Sequence, residues 1–373
     1  KAGESGGITP DVTNAENFTT LVTIAPSTRQ RGLIWTGSDD GRIHVTRDGG
    51  VTWTSVEGNV RGVPASTWVP AIEPSPHQPG TAFAVFDNHR RGDIAPYVQR
   101  TDDFGKTWKS LATPNLRGYA LAIVQDPVDP DLLFLGTEFG LWVSFDAGQK
   151  WHPFTRGLPT VSVMDLVIHP RDHDLVIATH GRALFVIDDI RPLRDVTPDV
   201  MAEKLHLFPV AAAQQARALG EDGGFGFGAG EFRGQNRATG ALVSFVANAE
   251  DLPWADADKE RERKQRERRA DQKKQDADQK KQEVEMTATV EVRDGAGTVV
   301  RTLRPKLVRG LNRLAWELDR DGWRPLPSDE PRDADANPGG PSVPPGDYQL
   351  TVKFRGSEAA TSVRVLADPR AKN

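Results

Sequence analysis

Short runs of four to seven apolar or alternating residues, each broken by a Gly, Pro or Asp turn, fill the first half of the chain. Helical spacing is nowhere sustained there. Three phrases return in a fixed order. A strand ends in a Pro/Asp turn (IAPSTRQ, IEPSPHQPG, VQDPVDP, IHPRDHD). A strand–turn–strand follows (GLIWTGSDDGRIHVT from Gly32, DLLFLGTEFGLWVS from Asp131, DLVIATHGRALFVIDD from Asp174). A polar turn closing on tryptophan ends the unit: TRDGGVTW from Thr46, TDDFGKTW from Thr101 and SFDAGQKW from Ser144. Repetition at this period marks stacked supersecondary units. Each unit reads as four antiparallel strands, and about four units lie between Phe18 and Asp189, the last without a tryptophan turn.

The tryptophan turns share (S/T)-x-D-x-G-x-x-W, and each position has a physical task. Asp48, Asp103 and Asp146 can accept backbone N–H groups inside a tight turn. Gly50, Gly105 and Gly148 tolerate positive φ. Trp53, Trp108 and Trp151 supply a large apolar area that is expected to pack back over the hairpin. The same sequences imply a structural task for the three aspartates rather than a catalytic one.

On these phrases, with SGGITPD and GLPTVSVMDLVIHPRDHDL, the stretch from Ser5 to about Asp189 resembles the bacterial sortilin-type Asp-box (BNR-repeat) propeller proteins labelled glycosyl hydrolases. The second half is similar, more weakly, to the Ig-like sandwich of flagellar hook-cap type that closes such proteins. The resemblance implies an extracytoplasmic location, periplasmic or secreted. The expected fold is all-β: a partial β-propeller of Asp-box blades over residues 1–190, a linker with a Gly-rich loop over 191–236, and an Ig-like β-sandwich over 237–373. Four blades close a ring poorly. Lys1 reads as the loop after an earlier blade, so further blades are expected, cut from this chain or held by another polypeptide. An open edge strand needs cover, and a protein partner is expected.

The second half alternates cleanly. Tyr348, Leu350, Val352 and Phe354 share a face, as do Leu314, Trp316 and Leu318, and about seven strands are expected. A charged insertion, 253–284, interrupts the sandwich. Its Glu260–Lys264, Glu262–Arg266 and Asp276–Lys280 spacing favours a helix with no apolar stripe. It reads as a solvated helix or as an electrostatic docking arm. The GxGxG within Gly220–Gly234 has no strand before it and no helix after it, so it reads as a loop rather than a dinucleotide site.

The bulk numbers narrow function by exclusion. The 373 residues carry 47 Lys and Arg against 52 Asp and Glu, a net charge of −5 with no basic excess, so nucleic acid is not an expected partner. There is no cysteine, hence no thiol chemistry, and no apolar run long enough to span a bilayer. No cofactor or metal is expected: His169 and His173, the only close pair of histidines, flank a turn rather than a helix face. No catalytic set is expected either: the Arg-Ile-Pro segment of sialidases is absent, and the carboxylates of Asp48, Asp103 and Asp146 are expected to be taken up by structural hydrogen bonds.

The turns opposite the Asp boxes hold Asp39, Asp87, Glu138 and His180, with Trp68 and Tyr119 near the starts of inner strands. Carboxylates beside aromatics fit a sugar-binding face, but turn-forming acids and packed rings are the reading this pattern favours. The expected function is a non-catalytic extracytoplasmic binding or scaffold protein, an accessory subunit on a larger assembly that could be membrane-bound. The alternative is a glycoside hydrolase or carbohydrate-binding protein.

Overall fold

The computed structural model describes residues 18–216, 237–256, 259–264, 286–322 and 338–370. The chain divides into two compact units, Lys1–Arg194 and Asp195–Asn373. The Gly220–Gly234 loop and most of the charged insertion lie outside the described residues.

The first unit is a partial β-propeller of four sheets. Blade 1 comprises β1–β4 (Leu21–Pro26, Ile34–Ser38, Ile43–Thr46, Thr54–Ser55). Blade 2 comprises β5–β8 (Trp68–Pro74, Ala82–Asp87, Tyr97–Thr101, Lys109–Ser110). Blade 3 comprises β9–β12 (Ala120–Gln125, Leu133–Thr137, Gly140–Ser144, His152–Phe154). Blade 4 has three strands, β13–β15 (Val163–Ile168, Leu175–Thr179, Leu184–Ile187). Every pairing is antiparallel and sequential, and the first strands β1, β5, β9 and β13 lie side by side in that order.

Apolar positions on facing sheets make the cores between blades. Trp35, Ile43 and Val45 of blade 1 pack with Val69, Ile72, Ala82 and Phe86 of blade 2. Phe83, Val85 and Val98 of blade 2 pack with Ile123, Leu133, Leu135 and Trp142 of blade 3. A helical turn α1 (Arg191–Arg194) follows blade 4. Its Arg194 guanidinium grips the fully buried Asp126 carboxylate below β9, with contacts of 2.9–3.2 Å.

The three Asp boxes are superimposable in their bonding. Thr46, Thr101 and Ser144 each donate a hydroxyl to the box aspartate and accept the N–H of the box glycine, at 2.7–3.0 Å. Asp48, Asp103 and Asp146 accept the N–H of Thr52, Thr107 and Lys150 at 2.8–2.9 Å. Two of the three tryptophans depart from expectation, whereas Trp53 stays on its own turn and donates its indole N–H to the Gly50 carbonyl at 3.1 Å. Rather than folding over their own hairpins, Trp108 and Trp151 reach the preceding blade. Trp108 meets Trp35 edge-on with ring centroids 6.1 Å apart, and Trp151 donates to the Leu111 carbonyl at 2.9 Å. Apolar area is better buried between sheets than on a hairpin's own rim.

The second unit begins with a short helix α2 (Pro198–Ala202), capped by Thr197. Two sheets enclose one core. The first orders β16–β18–β21 (Leu205–Leu207, Ala241–Ala247, Gly310–Trp316). The second orders β17–β25–β24–β19–β20 (Ala213–Gln214, Ser357–Leu366, Gly346–Phe354, Thr289–Arg293, Val299–Leu303). A ribbon pairs β22 (Asp319–Asp321) with β23 (Gly339–Ser342). Val243, Phe245, Trp316, Val290, Leu350, Val352, Phe354 and Val363 meet in the core, as period-two alternation requires.

Two segments expected as linker, LHL and AQ, are strands of this unit. Leu205–Leu207 pairs with β18 and Ala213–Gln214 runs parallel to β25. Both are too short to show a period. In the charged insertion residues 259–264 are helical, and Lys264 lies 3.6 Å from Glu260 across one turn. Trp254 stands between the cations of Lys259 and Arg309, at 5.2 and 4.6 Å from its ring. The backbone N–H of Trp254 donates to the Glu260 carboxylate at 3.0 Å.

Candidate functional site

In each blade the β2–β3, β6–β7, β10–β11 and β14–β15 turns fall at the end opposite the Asp boxes, beside the connections that enter β5, β9 and β13. Asp39, Glu138 and His180 occupy those turns, Asp87 closes β6 just before its turn, and Trp68 and Tyr119 stand at the entries. The structure gathers Asp87, Tyr119 and Glu138 into one cluster, sets Trp68 across the β5–β6 ladder from Asp87, and leaves Asp39 and His180 apart.

The cluster joins blades 2 and 3. Asp87, at the end of β6, is buried and accepts the backbone N–H of His89 at 2.9 Å. His89 Nδ1 lies 2.7 Å from both of its carboxylate oxygens. The imidazole stacks on Tyr119, centroids 4.4 Å apart and planes 18° from parallel. Tyr119 donates its phenol to Glu138. Burial, then that carboxylate, then Asp87 push the phenol well above its ordinary range. His89 was not singled out in the sequence. The signal for it is the length of the β6–β7 connection, residues 88–96, against 138–139 in blade 3.

That connection is braced internally. Asp93 accepts from Asn88 Nδ2 at 2.9 Å and from the Tyr97 phenol at 2.7 Å. Burial raises the Tyr97 phenol to about 12, helped by Asp93. Hydrogen bonds from Asn88 and Tyr97 hold Asp93 below its ordinary value against the opposing effect of burial. Arg91 donates to the Ser66 carbonyl at 2.7 Å and to Asn88 Oδ1 at 3.1 Å.

The remaining three candidates are placed differently. Asp39 is buried and accepts the N–H groups of Thr19 and Thr20, both at 2.8 Å, so its carboxylate caps the entry to β1. Its neighbour Asp40 instead lines a cleft of about 530 Å³, with Arg42, Glu57, Ser66, Thr67 and Phe86. His180 is exposed on blade 4 and gives its backbone N–H to Ser162. Trp68 has the guanidinium of Arg90 3.6 Å over its ring. The two aromatics expected as sugar platforms thus have a face each taken by a side chain of this protein, Arg90 on Trp68 and His89 on Tyr119. Among the described residues no group of three or more His, Asp or Glu could hold a metal ion, and no helix is long and apolar enough to cross a membrane.

Among the described residues, two faces of the propeller arc also carry exposed apolar side chains. In blade 4, Val167, Val176 and Val186 are cross-strand neighbours, as are Asp165, Ala178 and Leu184. The opposite face, with Leu166 and Ile177, is buried, yet Leu184 is 64% and Val186 53% exposed. In blade 1, Leu21, Val22 and Ile24 of β1 are exposed. So is its box. A Cβ on Gly105 would meet Val56 of blade 1 at 2.9 Å, and one on Gly148 would meet Leu111 of blade 2 at 2.8 Å. One on Gly50 would meet only its own Trp53. Trp53 is 43% exposed, whereas Trp151 is 2% exposed.

No family model matches the chain, and no curated relative matches it. Solved structures that resemble it are propeller-type. YCF48 bound to a D1 peptide is 17% identical, with 46% of this chain covering 52% of that one, TM-score 0.36. The GH74 enzyme of Niastella koreensis is 13% identical over 52% of this chain and 32% of that one, TM-score 0.38. The GH74 xyloglucanase of Xanthomonas campestris is 18% identical over 61% of this chain and 34% of that one, TM-score 0.37. The chain therefore spans about half the length of the first and about a third of the other two.

Proposed function

We propose that this protein is a non-catalytic, extracytoplasmic binding or scaffold protein of the Asp-box propeller class, acting as an accessory subunit. Its blade arc receives the blades of a partner polypeptide. The carrying observation is the unfilled box of blade 1. Trp108 and Trp151 are seated on the preceding blade through Gly105 and Gly148, whereas Trp53 of the same motif, among the described residues, keeps to its own turn at Gly50 and stays 43% exposed.

The occupant follows from the fitting. It is a sheet of the same type, whose outer strand ends three residues beyond a box tryptophan on an aliphatic residue, as Val56 follows Trp53 and Leu111 follows Trp108. Blade 4 offers the complementary end, with its exposed Leu184 and Val186. Burying each such side chain is worth about 1.5–3 kcal/mol. Propellers close with roughly four to eight blades, so a partner arc can complete the ring.

Glycoside cleavage draws less support. Hydrolysis needs two carboxylates free to face one bond. Asp39 is spent on backbone donors, Asp87 on His89 and Glu138 on Tyr119.

The test is isolation of the protein from its source with its companion identified by peptide mass. An Asp-box companion, released by Leu184→Lys with Val186→Lys while the circular dichroism holds, supports the reading. A protein that runs as a lone monomer from its source, or whose companion has no blade, contradicts it.

A further inference from the structure

We propose that the end of blades 2 and 3 carrying the β6–β7 connection binds a carboxylate-rich peptide segment through Arg90 and Arg117. This surface is separate from the blade-docking faces, so either proposal can fail alone.

The connection spans residues 88–96, while the turns in the same place are residues 39–42, 138–139 and 180–183. The extra length carries His89, Arg90 and Arg91. Stacking of His89 on Tyr119 brings it over the connection that holds Arg117 and Gly118. The local acids are all engaged from within: Asp87 by His89, Asp93 by Asn88, Tyr97 and the Ala95 N–H, and Glu138 by Tyr119. None of them has an ion pair with Arg90 or Arg117. Both arginines are exposed, and among the described residues neither has a carboxylate partner.

Arg90 is also positioned. Its guanidinium carbon lies 3.6 Å over the Trp68 ring, so an entropically costly side chain is held in place. A planar fork suits a carboxylate, which it can hold by two parallel bonds. The bracing of the connection by Asn88, Asp93 and Tyr97 lowers the cost of ordering on binding. Exposed Ile94, on the same connection, offers an apolar contact that a peptide can use.

The covered faces of Trp68 and Tyr119 argue against a neutral sugar, which needs an open ring. The net charge of −5 argues against a long polyanion, which the whole molecule would repel. A short acidic peptide fits both conditions.

The test is fluorescence anisotropy of the full chain with a fluorescein-labelled peptide alternating Glu and Ser, at low ionic strength. Saturable binding is expected, weakened about tenfold by Arg90→Gln and about tenfold by Arg117→Gln, as for loss of one charge-assisted hydrogen bond. Arg182→Gln on blade 4 should leave it unchanged, and all three variants should melt with the parent. Absence of binding, equal loss on Arg182→Gln, or no loss on either of the first two substitutions overturns the proposal. So does competition by oligogalacturonate or inorganic phosphate at the peptide's own potency.

Discussion

The indole of Trp151 donates its N–H to the backbone carbonyl of Leu111, 2.9 Å away on the preceding blade, and Gly148 of the same box leaves room for the Leu111 side chain. The Asp box is thus a device that joins blades as well as one that closes a turn. Trp151→Ala should cost about 3–5 kcal/mol, the range for truncating a buried tryptophan. Trp53→Ala, at an unfilled box, should cost no more than about 1 kcal/mol in the isolated chain. Denaturant unfolding followed by circular dichroism measures both, and equal losses would contradict the inter-blade role.

Two sets of carboxyl groups give stability opposite dependences on pH. Asp48 is held below its ordinary value of 3.8 by the Thr52 hydroxyl and N–H and by Thr46. Asp103 is held low by Thr107 and Thr101 against the effect of burial. A lowered folded value means stability present above about pH 4 that is lost as pH falls further. Glu73 on β5 is the reverse. Burial raises it from 4.5 to about 8, opposed by the Gln125 N–H and reinforced by Asp165 on β13. Its contribution is complete below pH 4.5 and is lost as pH climbs toward 8, at no more than about 1.4 kcal/mol per pH unit. Glu73→Gln should flatten the decline of the unfolding midpoint between pH 5 and 8 and leave the acid limb intact. An unchanged profile would count against the burial of this carboxyl.

The Arg194–Asp126 pair ties the helical turn after blade 4 to the turn below β9. Asp126 has no exposure, and besides Arg194 it keeps the N–H groups of Val128 and Asp129 at 2.8 Å. Arg194→Ala leaves a buried carboxylate short of its counter-charge, a change that costs about 3–5 kcal/mol. The two remaining backbone donors favour the lower end. Asp126→Asn should be milder, since a neutral amide needs no counter-charge. Thermal unfolding of the two variants should rank them in that order.

Asp39 acts on the entry to β1. Asp39→Ala strands the N–H groups of Thr19 and Thr20 and should cost about 1–3 kcal/mol. It should leave peptide affinity at Arg90 and Arg117 unchanged in the anisotropy assay. A loss of binding without a loss of stability would return Asp39 to the list of ligand contacts.

The repeat was legible because its turns use residues with few substitutes. An Asp, a hydroxyl and a Gly at fixed spacing admit one local bonding pattern, and the structure repeats it three times. The direction of Trp108 and Trp151 was not legible, since they share one motif with Trp53 and the motif does not encode which neighbouring sheet lies within reach. At the opposite end the sequence brought Asp87, Tyr119 and Glu138 to notice by place in the repeat. It could not separate Asp39 from Asp40, adjacent acids that differ in which backbone N–H groups come within reach. His89 and Arg90 gain their meaning from partners on another connection and another ring, Tyr119 and Trp68, which spacing along the chain does not encode. Strands as short as Leu205–Leu207 and Ala213–Gln214 carry no period and become strands by pairing.

The measurement closest to the central claim places a photo-crosslinking residue at position 53 of the full chain in its source cells, with matching probes at 108 and 151. The account predicts that the probes at 108 and 151 join only to the preceding blade of the same chain, around Trp35 and Leu111. The probe at 53 should join to a partner's strand three residues beyond an Asp-box tryptophan. A probe at 53 that joins to nothing, or to a segment outside any such blade, would contradict the account. A join to another stretch of this same polypeptide would remove the partner while keeping the fitting.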